Sequence, residues 1–354
     1  MPDKLIGEDA MAASTIHHNP SRAAVRCGIA VLFPLMAWLP ARAQSTGVQE
    51  EPPAATLHVE VNEAEASCVA EDNHTGPIRG LAKDDFLVSV DGRPVPLRAL
   101  GTDADVPISV SLLIDVSLSQ KGMNAYYADA VRGLKEQLRA GRDKVNVYTF
   151  AGAVRLYRDW EDVASLTVDD IEHIDPNAGV ILQKNSRFTH GGTRLFDAVL
   201  DAIENARHEQ GRRAVLVLTD GVDEGSDATS GSALKTAEQG NVSLSALEFD
   251  PEALAFLSPG FYATRLHDSL SAISRASGGV FLHAKHGEEK DQIETILRLL
   301  KEEYILYFAP PQVSPGPHQL SIKLAHLMPG ASLRYRRRIS LAASGSAPPA
   351  RPKD

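Results

Sequence analysis

The chain has 354 residues, of which 43% are apolar, and its formal net charge is −10. That length and apolar content allow one full-size α/β domain together with a smaller domain, so a single domain is not expected. An acidic surface has no general attraction for nucleic acid, and we therefore expect no nucleic-acid partner. The sequence contains two cysteines, Cys27 and Cys68, which excludes a disulfide-rich scaffold.

Residues 1–43 have the composition of a secretory signal peptide. Arg22 and Arg26 precede the apolar stretch 28–39, and the segment 41–43 reads Ala-Arg-Ala, a small-residue cleavage site. The apolar stretch is too short to span a bilayer, and no later segment is long and apolar enough to do so. We therefore expect a secreted or periplasmic protein of the bacterial envelope that does not span the membrane after signal removal. The alternative is a disordered tail with a chance apolar patch.

The next two segments predict a linker and a small β module. Residues 44–55 are polar and rich in proline, which is typical of a linker. Residues 56–102 form the predicted N-terminal β module. Within it, residues 57–61 alternate in strand fashion, and residues 81–95 read as a strand, an Asp-Gly turn and a second strand. Prolines in and after the second strand favour an edge position in the sheet.

Residues 106–303 alternate between strand and helix patterns, which predicts a doubly wound, mostly parallel α/β sheet with helices on both faces. The short Ala-Gly-Ala connection at 151–153 predicts a hairpin that places one antiparallel strand on the sheet's edge. The predicted strands are 106–114, 145–150, 154–157, 214–219, 242–248 and 279–283, and the predicted helices are 127–138, 193–208, 231–239, 267–277 and 288–303.

Residues 304–341 return to strand patterns, at 304–308, 319–325 and 332–339. Three strands are too few for a stable sheet of their own, and the N-terminal β module has the same shortage. We therefore expect both ends of the chain to join in one small β-sandwich beside the α/β domain. Residues 342–354 are predicted to form a disordered tail.

Oxygen-bearing side chains follow two predicted strands and open one predicted helix. Asp115, Ser117 and Ser119 come directly after the strand 106–114, Thr193 opens a helix, and Asp220 follows the strand 214–219. If these two strands lie side by side where the strand order reverses, their carboxyl ends meet at one crevice. Carboxylate and hydroxyl oxygens suit Mg²⁺ or Mn²⁺, and two carboxylates would balance the charge of the ion.

The three motifs, in this order and at this spacing, resemble the metal-ion-dependent adhesion site of von Willebrand factor type A (VWA) domains. Asp115, Ser117 and Ser119 form the Asp-x-Ser-x-Ser part, Thr193 follows about 75 residues later, and Asp220 about 27 residues after that. The resemblance implies a Rossmann-like α/β fold and a bound Mg²⁺ or Mn²⁺. It also implies that the ion keeps one position open for a carboxylate donated by a protein partner. The layout, with β segments on both sides, is similar to the bacterial proteins called VWFA-related.

Other interpretations of the same residues remain open. Asp and Ser after a strand are good helix caps and turn formers, so each motif alone has a purely structural explanation. An architectural envelope protein with a vestigial metal site is the main alternative function. A magnesium-dependent hydrolase is less favoured, because no nucleophile elbow, Walker loop or dinucleotide motif follows a predicted strand. We therefore do not expect an enzyme, and a zinc site at His283 and His286 is also not favoured.

Acidic residues crowd the loop after Asp220. Asp223, Glu224 and Asp227 are predicted to form a solvated turn in preference to a layer around the ion. Close to the ion they would repel an acidic partner, and Lys121 and Arg194 are the cations near enough in sequence to offset them.

Overall fold

The computed structural model describes residues 63–73, 76–120, 122–172, 174, 192–249, 263–285, 287–326 and 329–341. The predicted signal peptide, the linker, the strand at 57–61 and the C-terminal tail lie outside the described residues, and so do Lys121 and His286. The domain boundaries given above therefore stay predictions.

The described residues form fifteen strands and six α-helices. In chain order the strands are β1 Ala64–Asp72, β2 Gly76–Pro77, β3 Phe86–Val90, β4 Arg93–Val95, β5 Leu97–Gly101, β6 Ile108–Asp115, β7 Lys144–Phe150, β8 Val154–Asp162, β9 Arg212–Thr219, β10 Ser243–Phe249, β11 Phe281–Ala284, β12 Tyr304–Phe308, β13 Gly316–Leu324, β14 Ala331–Tyr335 and β15 Arg338–Leu341. The helices are α1 Asn124–Gln137, α2 Val168–Glu172, α3 Leu195–Ala206, α4 Ser230–Gln239, α5 Ala263–Ser277 and α6 Glu289–Lys301.

A six-stranded sheet in the order β11-β10-β9-β6-β7-β8 forms the centre of the α/β domain. Its strands are parallel except β8, which pairs antiparallel with β7 at the edge. Every residue of β6 is buried, as expected for a central strand covered on both faces. Helices α1 and α6 supply the apolar core on one face, and α3, α4 and α5 supply the core on the other. The predicted doubly wound sheet with one antiparallel edge strand is confirmed.

The strand order reverses between β6 and β9, which are neighbours in the sheet although β7 and β8 separate them in the chain. Seven residues of β6 pair with β9 in parallel register, from Ile108 with Arg212 to Ile114 with Leu218. Ligand crevices in doubly wound sheets lie outside the carboxyl ends of strands at such a reversal. The topology therefore brings the residues after β6 and β9 together.

Strands from both ends of the chain build a two-sheet β-sandwich. One sheet has the order β14-β1-β12-β5 with β2 beside β1, and the other has the order β15-β13-β3-β4. In the first sheet Ala66 pairs with Leu306 and Cys68 with Tyr335, so early and late strands alternate. Phe86, Leu306 and the other inward side chains share one apolar core. The predicted flanking sandwich is confirmed, and the proline-containing strand β4 lies at an edge, as expected.

The single strand predicted at 332–339 is wrong, because the chain changes sheets within it. Tyr335 belongs to the sheet that contains β1, whereas Arg338 pairs with Gln319 in the other sheet. Arg336 and Arg337 make the crossing, and the Arg336 side chain is buried where it donates to the Glu65 carbonyl oxygen over 2.8 Å. Two shorter strands therefore replace one, and the last strand completes the second sheet.

Candidate metal site at the carboxyl edge of the central sheet

Asp115, the last residue of β6, is fully buried and held by hydrogen bonds from two sides. Its Oδ2 accepts from the Thr219 hydroxyl at 2.6 Å, and its Oδ1 accepts from the Ser117 backbone N–H at 2.9 Å. Thr219 ends the neighbouring strand β9, so the parallel pairing of β6 and β9 puts the hydroxyl within reach. The Thr219 hydroxyl also accepts from the Gly221 backbone N–H at 3.0 Å, which ties the turn after β9 to the same network.

The two serines lie together on the loop between β6 and α1. Ser117 Oγ and Ser119 Oγ are 2.9 Å apart, and Ser117 is buried. The loop is fixed from α1 by Tyr127, whose hydroxyl lies 2.7 Å from the Asp115 carbonyl oxygen and 3.0 Å from Gln120 Oε1. The predicted convergence of two serine hydroxyls beside Asp115 is therefore present in the structure.

Asp220 follows β9 and is also buried. Its Oδ1 accepts from the Val222 backbone N–H at 3.1 Å, whereas its buried Oδ2 has no hydrogen-bond partner among the described residues. Gly221 has a left-handed backbone with φ +79°, and a Cβ there would lie 2.5 Å from Glu248 Oε1. Glycine is therefore required for the tight turn that leaves Asp220 buried beside Asp115.

Thr193 is buried and is held against the loop after Asp220 through its backbone. Its carbonyl oxygen accepts from the backbone N–H groups of Glu224 at 3.0 Å and Gly225 at 3.1 Å. Gly192 lies close to the same loop, since a Cβ there would be 3.3 Å from Glu224 backbone atoms. The segment that carries Thr193 and the segment that carries Asp220 therefore form one unit. Gly191, which precedes Gly192 in the sequence, lies outside the described residues.

The N-terminus of α3 takes its caps from the loop after β9. Ser226 Oγ accepts from the backbone N–H groups of Phe196 at 3.0 Å and Asp197 at 3.2 Å, and donates to Asp223 Oδ1 at 2.5 Å. Asp223 is therefore engaged at the helix N-terminus, a role that the sequence analysis did not assign to it. Asp227 is exposed, as expected for a solvated turn, and forms an ion pair with Arg194.

Burial and mutual repulsion govern the electrostatics of the two aspartates. Desolvation by burial, followed by the nearby Asp220 charge, raises the pKa of Asp115 to about 7. The same two causes, burial first and then the charges of Asp115 and Asp220, raise the pKa of Tyr127. A divalent cation fits this arrangement, because it would neutralise both carboxylates. It would also give Asp220 Oδ2, which has no hydrogen-bond partner among the described residues, a partner. The hard oxygen donors are those that Mg²⁺ and Mn²⁺ prefer.

A zinc site of the kind considered for His283 and His286 gains no support. His283 Nδ1 lies 2.9 Å from Glu248 Oε2, and His286 lies outside the described residues. Among the residues that the structure describes, no group of three or more His, Cys, Asp or Glu side chains is arranged to hold a metal.

No helix in the described ranges has the length and apolar character needed to cross a membrane.

Comparisons with known proteins agree with this fold. Residues 108–279 match the family model for the von Willebrand factor type A domain. The sequence has no match among curated proteins. The match to the family model covers five of the six strands of the central sheet, β6 to β10, and all five residues of the candidate site. Residues 108–279 are therefore a VWA domain.

Solved structures of VWA-type and other proteins are similar to the chain at low identity. An aerotolerance-related membrane protein from Bacteroides fragilis is 17% identical, with a TM-score of 0.41 over 55% of this chain and 99% of that one. A von Willebrand factor type A protein from Catenulispora acidiphila is 12% identical, with a TM-score of 0.41 over 79% of this chain and 73% of that one. Proximal thread matrix protein 1 from the mussel byssus, solved with a zinc-occupied MIDAS motif, is 17% identical, with a TM-score of 0.42 over 58% of this chain and 48% of that one.

Proposed function

We propose that the VWA domain holds a divalent cation, Mg²⁺ or Mn²⁺, through Asp115, Ser117, Ser119, Thr193 and Asp220. The observation that carries the proposal is the pair of buried aspartates at one strand reversal, one of which has a carboxylate oxygen without a hydrogen-bond partner in the described part of the chain. Leaving such a group unpaired in the interior is costly, whereas a cation bound there would satisfy it.

The proposed role of the bound ion is capture of a protein partner through a carboxylate. Two aspartates and neutral hydroxyls leave the ion with little surplus negative charge around it, so an additional anionic ligand remains attractive. The bound ion supplies the positive charge that the partner's carboxylate meets. The chain's own residues fix its position: Thr219 orients Asp115, Tyr127 holds the serine loop, and the Glu224–Gly225 backbone holds the segment that carries Thr193.

The proposal extends to location and to the class of activity. The signal-like composition of residues 1–43 supports export, which places the binding module outside the cytoplasm as a secreted or periplasmic protein. Binding, not turnover, is the proposed activity. An intact mass that begins near Gln44 is expected for the exported protein, and a mass that retains residues 28–39 would contradict export with cleavage.

Calorimetric titration with Mn²⁺ tests the site itself. We expect the wild-type protein to bind one ion, Asp115→Ala to bind none, and Thr193→Ala to bind more weakly because it loses one neutral ligand. Thr193→Ser restores a hydroxyl and is expected to recover most of the affinity. Glu224→Gln is the matched control, since Glu224 is an exposed acid of the same loop that contacts Thr193 through its backbone. Equal binding by the wild type and Asp115→Ala would refute the five-residue site.

A pull-down from envelope extract tests the use of the ion. We expect a partner to be retained by the wild-type protein in Mg²⁺, to be released by EDTA, and not to be retained by Asp115→Ala. A partner that is retained equally in Mg²⁺ and EDTA would favour the architectural alternative, in which the metal site is vestigial.

A further inference from the structure

The β-sandwich contains a histidine whose two ring nitrogens both face oxygen atoms. His318 lies on β13, and its Nδ1 is 2.7 Å from Asp91 Oδ2 in the turn between β3 and β4. Its Nε2 is 2.7 Å from the carbonyl oxygen of Ser314, in the segment before β13. The His318 side chain is 10% exposed, whereas the Asp91 side chain is 42% exposed. One imidazole ring therefore bridges three segments of the sandwich.

The chemistry of the two oxygen atoms determines the protonation state of this ring. A backbone carbonyl and an ionised carboxylate only accept hydrogen bonds, so each nitrogen must donate. A neutral imidazole has a single N–H, whereas the imidazolium has two. The geometry around His318 therefore matches its protonated form. Deprotonation would leave Asp91 or Ser314 without its donor.

Asp91 links the ring to the backbone of the sheet. Its Oδ1 accepts from the Gln319 backbone N–H at 2.9 Å, and its own N–H donates to the Gln319 carbonyl oxygen at 2.9 Å. Asp91 has a left-handed backbone with φ +49°, followed by Gly92 with φ +75°. Asp-Gly is a preferred pair for such a turn, and the contacts from Asp91 to His318 and Gln319 join the turn to β13.

We propose that His318, Asp91 and the Ser314 carbonyl form a protonation-dependent latch that closes this end of the β-sandwich and loosens as pH rises. The latch is independent of the metal site and goes beyond the proposed function. It fastens the β3–β4 turn and the segment before β13 to β13 itself, where an early strand meets a late one.

The signs of the two pKa shifts define the pH range of the latch. The hydrogen bond with Asp91, and then the one with Ser314, raise the pKa of His318 above its usual value of 6.5. Its contribution is therefore complete below 6.5 and disappears as pH rises through the raised value. The hydrogen bond from His318, and then the one from Gln319, lower the pKa of Asp91 below 3.8. Its contribution is present above 3.8 and is lost as pH falls through the lowered value.

Two arginines on adjacent strands, Arg93 and Arg338, do not take the place of Asp91 or the Ser314 carbonyl as partners of His318. Arg93, on β4, favours the ionised form of Asp91 and so supports the pair. Arg338, on β15, pairs in register with Gln319, but its guanidinium lies 3.9 Å from Glu238.

Nuclear magnetic resonance titration of the His318 ring in the full chain tests the latch. We expect its pKa to lie above 6.5 in the wild type and to fall in Asp91→Asn, which removes the charge but tolerates the left-handed turn. We also expect the Gln319 amide, corrected for intrinsic exchange, to lose protection as pH rises through the His318 pKa. The Ala325 amide, which donates to the Asp85 carbonyl oxygen at 2.8 Å just beyond the other end of β13, is the internal control.

Three outcomes would overturn the latch. The first is a His318 pKa at or below 6.5 in the wild type. The second is a His318 pKa in Asp91→Asn that equals that of the wild type. The third is Gln319 protection that falls with pH to the same degree in His318→Gln, which has no titrating ring. If only the metal titration fails, the latch stands, because the two tests share no residues.

Discussion

At the scale of single residues, the Asp115 carboxylate is oriented by hydrogen bonds within the protein. Each of its carboxylate oxygens already accepts one hydrogen bond, from Thr219 or from the Ser117 backbone. Such supporting bonds fix the direction of a ligand and limit the reorganisation needed on binding. Thr219 is therefore a positioning residue that follows from the fold.

The raised pKa of Asp115 predicts a distinctive pH dependence of the metal-free protein. An acid whose folded pKa lies above its usual value of 3.8 binds more protons in the native state, so stability falls as pH rises from 3.8 to about 7. We expect Asp115→Asn to flatten this decline in denaturant unfolding. Mn²⁺ affinity should rise over the same range, because the ion competes with the proton.

A matched substitution separates Asp115 from general charge effects. Asp223→Asn alters an acid of the neighbouring loop and should leave the decline in stability between 3.8 and about 7 intact. If the wild type showed no such decline without metal, the buried, proton-binding state of Asp115 would be ruled out.

The five proposed ligands are a prediction from the sequence, whereas the residues that support Asp115 and the serine loop were not predicted. Asp115, Ser117 and Asp220 are recognisable because an oxygen-bearing side chain after a buried strand is a local signal. Thr219 and Tyr127 act across the fold, and threonine in a strand or tyrosine in a helix is ordinary core composition. Their roles depend on strand register and on the docking of α1, which a single sequence does not specify.

At the scale of elements, the N-terminus of α3 couples the helix to the loop after β9. The Ser226 hydroxyl accepts hydrogen bonds from two backbone N–H groups of the first turn, which otherwise have no intrahelical partner. We predict that Ser226→Ala lowers the free energy of unfolding by about 1 kcal/mol, the usual effect of losing such a cap. Because Thr193 lies just before α3, the variant should also bind Mn²⁺ more weakly.

Chemical denaturation and calorimetric titration measure the two effects of Ser226→Ala. Thr229→Ala is a suitable comparison, since Thr229 caps α4 by accepting from the Ser232 N–H at 3.1 Å. It should cost similar stability without changing Mn²⁺ affinity. A Ser226→Ala protein with normal affinity would mean that the cap and the candidate site are not coupled.

The central sheet was predictable because its strands and helices alternate regularly, whereas β1 was not. The inward positions of β1 are Ala64, Ala66, Cys68 and Ala70, small residues with weak strand preference. Their size is explained by the packing inside the sandwich, which the sequence does not display. The boundary between β14 and β15 was also missed, because Arg336 and Arg337 resemble exposed strand residues although Arg336 is buried.

At the scale of the whole molecule, the sandwich depends on strands from both ends of the chain. We predict that truncation after Glu303 removes β12 to β15 and disrupts the N-terminal β module more than the central sheet. Hydrogen exchange should become faster at Phe86 and Val88, since β3 loses the apolar core that these two residues share with β13. The amides of β6 and β9 pair with each other and should change less.

Exchange rates in β3 and β6 are measured in the same truncated protein, so the rates in β6 serve as the control for those in β3. Equal acceleration in β3 and β6 would mean that the two parts unfold as one unit. Unchanged protection at Phe86 and Val88 would contradict the shared sheet.

The interleaving of early and late strands also has a consequence for the order of folding during synthesis. Ala64 pairs with Phe308, about 240 residues later, and among the described elements β1 has only the two-residue β2 as a nearby partner. Contacts between such distant residues form slowly, because the chain must first close a long loop. The strands of the central sheet, by contrast, all precede β12, so they are made before the C-terminal strands. The N-terminal β strands therefore remain open edges until synthesis is nearly complete, which makes this interval the stage at which the chain is most exposed to aggregation.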